Sequence, residues 1–161
     1  MLTRLKVNGF KNLVNIDVKF GPFTCLAGPN GVGKSNIFDA ILFLRELADK
    51  PFVEAADSIR GGDPRLLFTS GYKTMRFHAE MLIPPHGYDE FGQDAHASST
   101  FVEYQVELCL DDSENGRTGP IRLSFEQLKY IKKREARSRL GFPHSTKWRD
   151  SVVKQFRRGT Y

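Results

Sequence analysis

The 161-residue chain predicts an α/β fold with an antiparallel β subdomain attached, and three features of the sequence predict it. Several separate stretches alternate apolar and polar residues with period two, as strands with one wet face do. One long stretch repeats its apolar residues at helical spacing instead. Between a short apolar run and that helix lies a glycine-rich loop, which gives the order strand, loop, helix.

Taken in order, Leu2, Leu5 and Val7 begin a first strand, and Val14, Ile16, Val18 and Phe20 alternate with Asn15, Asp17 and Lys19 in a second, the two joined by residues 8–13. Gly21-Pro22 is a turn. Residues 23–27 are apolar except for Thr24, the pattern of a strand buried on both faces. After the glycine-rich loop, Ile37, Ile41, Leu44 and Leu47 or Ala48 recur at helical spacing, with Asn36, Arg45 and Glu46 toward solvent and Pro51 ending the helix. Gly61-Gly62 and Pro64 mark a loop, residues 75–83 and 101–110 read as antiparallel strands, and the polar, Gly- and Pro-containing stretch 84–99 reads as a flexible connection. Asp111-Asp112-Ser113-Glu114-Asn115-Gly116 is a strong turn signal, after which Ile121, Leu123 and Phe125 alternate again. From Lys129 on periodicity fades, so the chain divides into a lobe of residues 1–128 and a basic tail, 129–161, that is a linker or the start of a missing second lobe.

Composition narrows the class. Hydrophobic residues make up 40% and charged residues 27% of the chain, the balance of a globular protein of one domain rather than a disordered or fibrous one. No apolar run approaches the ~18 residues that span a bilayer, and the N-terminus lacks a signal-peptide core, so a cytoplasmic protein with no membrane partner is expected. Cys25 and Cys109 both lie in apolar, strand-like stretches, where a free thiol packs as a small hydrophobe. The net charge of +5 is unevenly placed: residues 129–158 hold eleven Lys and Arg against two acids, leaving thirteen against seventeen elsewhere. That tail, with Lys132, Lys133, Arg134, Arg137 and Arg139 beside Phe142, Trp148 and Phe156, suits salt-sensitive binding of DNA through residues 129–158 as well as it suits a solvated linker. His78, His86, His96 and His144 show no metal-ligand spacing and are read as incidental.

Chemistry concentrates in the loop Gly28-Pro29-Asn30-Gly31-Val32-Gly33-Lys34-Ser35, which fits G-x-x-x-x-G-K-[ST] at every specified position. Its glycines let backbone N–H groups converge on a phosphate without Cβ clashes, and the following helix points its positive end at that charge. Lys34 supplies a cation able to reach the β- and γ-phosphates, and the Ser35 hydroxyl is placed to ligate the Mg²⁺ that bridges them. The expected ligand is ATP with Mg²⁺.

With Gly9-Phe10-Lys11-Asn12 before it and Asn36-Ile37-Phe38-Asp39-Ala40-Ile41 after it, this loop resembles the N-terminal lobe of RecF/SMC-type ABC ATPase heads and the related AAA-type ATPases of bacterial repair and defence. The resemblance is strong over about the first 48 residues and implies a P-loop NTPase fold, lobe I of an ABC head, present here only in part. It implies that Lys11, Asn12 and Asn36 lie beside the nucleotide, that heads dimerise around ATP with a second copy or a partner head, and that the protein serves DNA repair or defence. Arg60-Gly61-Gly62 and Ser124-Phe125-Glu126-Gln127-Leu128 are similar to short stretches of the strand-rich subdomain of those heads.

Two parts of that machinery have no good match. The nearest acidic strand motif is Leu108-Cys109-Leu110-Asp111-Asp112, in which Asp111 and Asp112 are the candidate catalytic acids; the alternation before them points instead to a half-exposed strand ending in a turn. Ser58-Ile59-Arg60-Gly61-Gly62 is a poor copy of the partner-donated signature, and Gln105, Gln127 and Gln155 compete without resolution for the Mg²⁺-shell glutamine. Binding without turnover by this chain alone is therefore the expectation. Two other readings stay open: a small P-loop kinase or GTPase, although Asn-Lys-x-Asp is absent and Asp89-Glu90-Phe91-Gly92 is a poor switch motif, and a non-enzymatic DNA-binding or assembly module.

Overall fold

The computed structural model describes residues 1–59, 64–89, 91–112 and 118–156, with the side chains of residues 112, 118 and 119 outside that description. The expected motif at 60–62 and the turn residues 113–116 fall outside it, as do Glu90, Arg157 and Arg158.

Strands β1 (Leu2–Asn8), β2 (Ile16–Lys19), β3 (Thr74–Leu82), β6 (Phe101–Asp112) and β7 (Thr118–Tyr130) form one sheet in the order β2-β1-β3-β6-β7. Every neighbouring pair runs antiparallel. β3 pairs directly with β1, so the antiparallel part continues the N-terminal sheet. Their period-two pattern sorts the two faces: Leu5 and Val7 of β1 and Met75, Phe77 and Ala79 of β3 are buried, toward helix α1 (Lys34–Asp49). Helix α2 (Phe52–Asp57) follows directly after Pro51 and adds Ala55 and Ala56 to the same core. At its centre the rings of Phe10, Phe43 and Phe77 meet pairwise with centroids 5.3–5.7 Å apart.

Helix α1 forms where its spacing predicts, but its buried stripe is rotated: Asp39, Ala40 and Phe43 face inward. Ile41, Leu44 and Leu47 line a groove of about 470 Å³ against Leu2, Ala79, Met81 and Tyr104. The large Phe43 ring fills the space over Phe10 and Phe77 that a smaller aliphatic chain would leave empty.

Three expectations are corrected. Residues 23–27 form no strand: they leave the sheet after β2 and Phe23 is 88% exposed. A strand buried on both faces needs a ladder neighbour on each side, and at either edge this sheet could offer it one only. Cys25 is accordingly an exposed free thiol, whereas Cys109 sits half-buried in β6. Residues 84–99 hold a two-stranded hairpin of β4 (His86–Tyr88) and β5 (Asp94–His96), its turn fixed where the Asp89 carboxylate accepts from the N–H groups of Phe91 and Gln93.

Residues 129–156 of the basic stretch are folded as well. It begins inside β7 and continues through α3 (Ala136–Arg139) and α4 (Thr146–Val152). Ile131, Ala136, Leu140 and Val153 pack with Leu82 and Phe101 in a second apolar cluster. The Thr100 N–H donates to the Lys154 carbonyl, and Phe156 N–H donates to that of Ser98. Short helical turns separated by loops bury isolated apolar residues, which leaves no sustained period to read. Among the described residues no helix is long and apolar enough to cross a membrane.

Candidate functional site

The glycine-rich loop stands between the exposed arm 21–27 and the first turn of α1, and three of its glycines take backbone angles that L side chains rarely adopt. Gly28, Gly31 and Gly33 have φ of 157°, 86° and 100°. At Gly33 a Cβ would stand 2.7 Å from Asn12 Oδ1, so glycine is required there for close approach as well as for φ. Gly33 is the N-cap of α1 and offers no side-chain cap, so the N–H groups of the first turn keep their capacity to donate outward. At Gly31 nothing lies within 4 Å of an added Cβ, and the loop is open to solvent there.

Lys34 turns back over this loop. Its ammonium donates to the carbonyls of Gly28 and Pro29 at 2.6 and 2.5 Å. Among the described residues it has no carboxylate partner, so a cation is held over the loop by dipoles alone. Ser35 is exposed at the start of the helix. An anion with several oxygens fits this set: free helix-end donors, a lysine without a counter-ion and a loop whose glycines leave room for it.

A second segment braces the loop. Gly9 has φ 82°, and a Cβ there would meet the Thr74 carbonyl oxygen at 2.2 Å. The turn it allows carries Phe10 and Leu13 into the core and ties Lys11 N–H to the Leu67 carbonyl at 2.7 Å. Asn12 thereby reaches the loop: its amide donates to the Gly31 carbonyl at 3.2 Å and its Oδ1 accepts from Asn36 at 2.8 Å. Lys11 takes another direction. Its ammonium bonds the carboxylate of Asp39 at 2.9 Å, and both side chains are largely buried. Sequence reasoning placed Lys11 and Asn12 together beside a ligand; the structure puts Asn12 and Asn36 against the loop and directs Lys11 into α1. The partner role of Asp39 had a signal that went unused, a charged residue on the apolar side of a helix, which needs a counter-charge to be buried.

The acidic candidates lie elsewhere. Asp111, at the end of β6, receives Arg122 Nε at 2.7 Å across the β6–β7 pair and has no hydrogen bond or ion pair to residues 28–36. The side chain of Asp112 is outside the described residues. Gln105 and Gln127 face each other across β6 and β7, and Gln155 lies in the C-terminal stretch.

On the sheet face away from α1, His78, Glu80 and Glu103 bring one ligand atom each within 4.8 Å of the others. Arg139 of α3 already lies among them, 2.9 Å from Glu80 and 3.0 Å from Glu103. The group is an internal ion network fastening the C-terminal stretch to β3 and β6. Burial holds the His78 imidazole below its ordinary pKa, against the upward pull of Glu103 and Glu80.

Residues 1–52 match the family model of the RecF/RecN/SMC N terminal domain. Over 41 residues the chain is 51% identical to the OLD nuclease of Thermus scotoductus, which is 26% of this chain and 8% of that protein. Over 67 residues it is 36% identical to the DNA replication and repair protein RecF of Paenarthrobacter aurescens, 41% of this chain and 17% of that one. Over 84 residues it is 34% identical to the chromosome partition protein Smc of Rhodopseudomonas palustris, 51% of this chain and 7% of that one. The chain thus spans less than a fifth of the length of each of these relatives.

Proposed function

We propose, from the premise that residues 1–52 are an N-terminal RecF/SMC-type ATPase region, that this chain binds Mg-ATP through residues 28–36 and is lobe I of an ABC-type P-loop head present in part. The observation that carries the reading is Lys34: an ammonium poised over three glycines in left-handed or extended geometry, with carbonyls as its partners. A triphosphate would take those donors in place of the lysine's contacts with its own loop, and Mg²⁺ at Ser35 would neutralise the phosphate oxygens when bound. Asn12 and Asn36 hold the Gly31 carbonyl and the first turn of α1 in register, so in this reading they position the loop.

Hydrolysis is reserved for a completed head. Asp111 is committed to Arg122, and the arm 23–27 is an apolar extended segment without a ladder. A partner segment or a partner ATPase head that paired with that arm would stiffen the loop and supply the missing acid. DNA contact belongs to the same reading: Lys129, Lys132, Lys133, Arg134, Arg137, Lys147 and Lys154 are exposed, whereas Arg139 is turned inward to Glu80 and Glu103. By analogy with the named relatives, the process served is DNA repair or chromosome maintenance.

The test is calorimetry of Mg-ATP and Mg-GTP on the chain and on Lys34→Ala, with phosphate release followed in parallel. ATP binding that vanishes on substitution, with negligible turnover, is the expected result. Preference for GTP would return the small P-loop GTPase reading, and robust hydrolysis by the isolated chain would overturn the division of labour proposed here.

A further inference from the structure

The β4–β5 hairpin brings together two histidines that stand ten positions apart in the sequence. His86 and His96 are directly opposed in the antiparallel register. Their Nδ1 atoms lie 2.8 Å apart, the ring planes are nearly perpendicular, and both residues are exposed. Among the described residues each ring bonds only to the other. The Asp89 turn fixes the register that opposes them, with the Asp89 N–H donating to the Gln93 carbonyl at 2.9 Å as well.

We propose that His86 and His96 form a cross-strand chelate for a divalent transition metal ion that takes square-planar nitrogen ligands, Ni(II) or Cu(II), with water in the remaining positions. The separation of the two nitrogens makes the choice. With imidazole–metal bonds of about 2.0 Å, two ligands at a right angle stand about 2.8 Å apart, whereas a tetrahedral pair, as Zn(II) prefers, stands about 3.3 Å apart. The 2.8 Å spacing is set by the hydrogen bond between the rings, and both rings must turn to aim their Nδ1 lone pairs at a shared ion; the first spacing is then met with the nitrogens about where they stand, whereas Zn(II) would also have to spread them.

The protons balance without a base. In the neutral pair one ring carries its hydrogen on Nδ1 and donates it to the other ring's bare Nδ1. On coordination that ring takes the tautomer protonated at Nε2, which the other ring already has, and both Nδ1 lone pairs face the ion. No proton is released when the neutral pair takes up the ion. A bound ion would join two three-residue strands that are otherwise held by three residue pairs.

The experiment uses the chain without an affinity tag, in a buffer that does not itself bind the ions. Ni(II), Cu(II) and Zn(II) chlorides are titrated calorimetrically, and the Cu(II) form is examined by electron paramagnetic resonance. One ion per chain is expected, with two nitrogen ligands in the Cu(II) spectrum and Zn(II) bound more weakly than Ni(II). His86→Gln and His96→Gln should each weaken Ni(II) by about tenfold or more, since one imidazole cannot chelate, while His144→Gln leaves it unchanged. Both substituted side chains are exposed, and circular dichroism will show that the variants fold. In amide spectra, shifts on adding Zn(II) and paramagnetic broadening on adding Ni(II) should cluster in residues 84–98. Affinity indifferent to both substitutions, shifts centred elsewhere, or Zn(II) preferred over Ni(II) would overturn the assignment.

Discussion

Asn36 donates its side-chain amide to Asn12 Oδ1 at 2.8 Å, joining the first turn of α1 to the turn after β1 across 24 positions of sequence. Asn12 in turn donates to the Gly31 carbonyl, so one side chain ties the phosphate loop to a segment that the core anchors through Phe10 and Leu13. Replacing Asn12 with alanine removes both bonds at an exposed position and leaves the core intact. A hydrogen bond contributes about 0.5–1.5 kcal/mol net and two are lost, so Mg-ATP affinity should fall about fivefold to about a hundredfold with the urea midpoint almost unchanged. Calorimetry together with a urea titration checks it; a loss of stability that matches the loss of affinity would make Asn12 a structural residue only.

That brace shows where the sequence was legible and where it was not. The strands 74–82 and 101–112 were readable because one face of each packs apolar side chains against the core and the other carries polar and charged ones, which imprints the period on the residues. The loop 28–35 was readable because backbone angles near a phosphate demand glycine at fixed spacing. The Lys11–Asp39 pair, the Arg139 network and the His86–His96 pair depend on which segments fold back on each other, and nothing local encodes that. The arm 23–27 misled because its composition suits a buried strand, while burial depends on neighbours the sheet does not supply.

The Arg139 network yields a stability prediction. Glu80 is fully buried, and besides Arg139 its nearest cation is Arg4 at 3.7 Å. Arg139→Leu strands that carboxylate and should cost roughly 3 kcal/mol, the lower end for breaking a buried pair because Arg139 is itself partly exposed. Glu80→Gln added to it should restore part of the loss, since an amide needs no counter-charge. Urea unfolding of the two single variants and the double variant gives the coupling; strictly additive losses would mean the two side chains act independently.

His78 gives the pH dependence. Burial, with help from Lys6 and Arg139, holds its folded-state pKa below the ordinary value of 6.5 despite Glu103 and Glu80 nearby. The unfolded chain therefore takes up a proton at a pH where the folded chain does not, and stability that is fully present above that value is lost as pH falls below it. The urea midpoint should decline between about pH 7.5 and about pH 5.5, and His78→Gln should flatten this part of the curve. A wild-type profile that is level there, or one that His78→Gln leaves unchanged, would show that folding does not shift the proton affinity of this side chain.

Two phenylalanines separate what the fold needs from what the function needs. Phe43 is fully buried between Phe10 and Phe77, so Phe43→Ala should cost about 3–5 kcal/mol and lower ATP binding only through unfolding. Phe23 is 88% exposed on the arm that leads into the phosphate loop, and Phe23→Ser should leave the urea midpoint of the isolated chain within about 0.5 kcal/mol of wild type. If that arm is a strand awaiting partners, the same substitution should impair ATP turnover once a completing segment or head is supplied, because the partner would lose an apolar side chain to cover. Equal turnover by the Phe23→Ser and wild-type chains in the completed assembly would show that the arm stays solvent-exposed, and the missing catalytic groups would then have to reach the loop from another side.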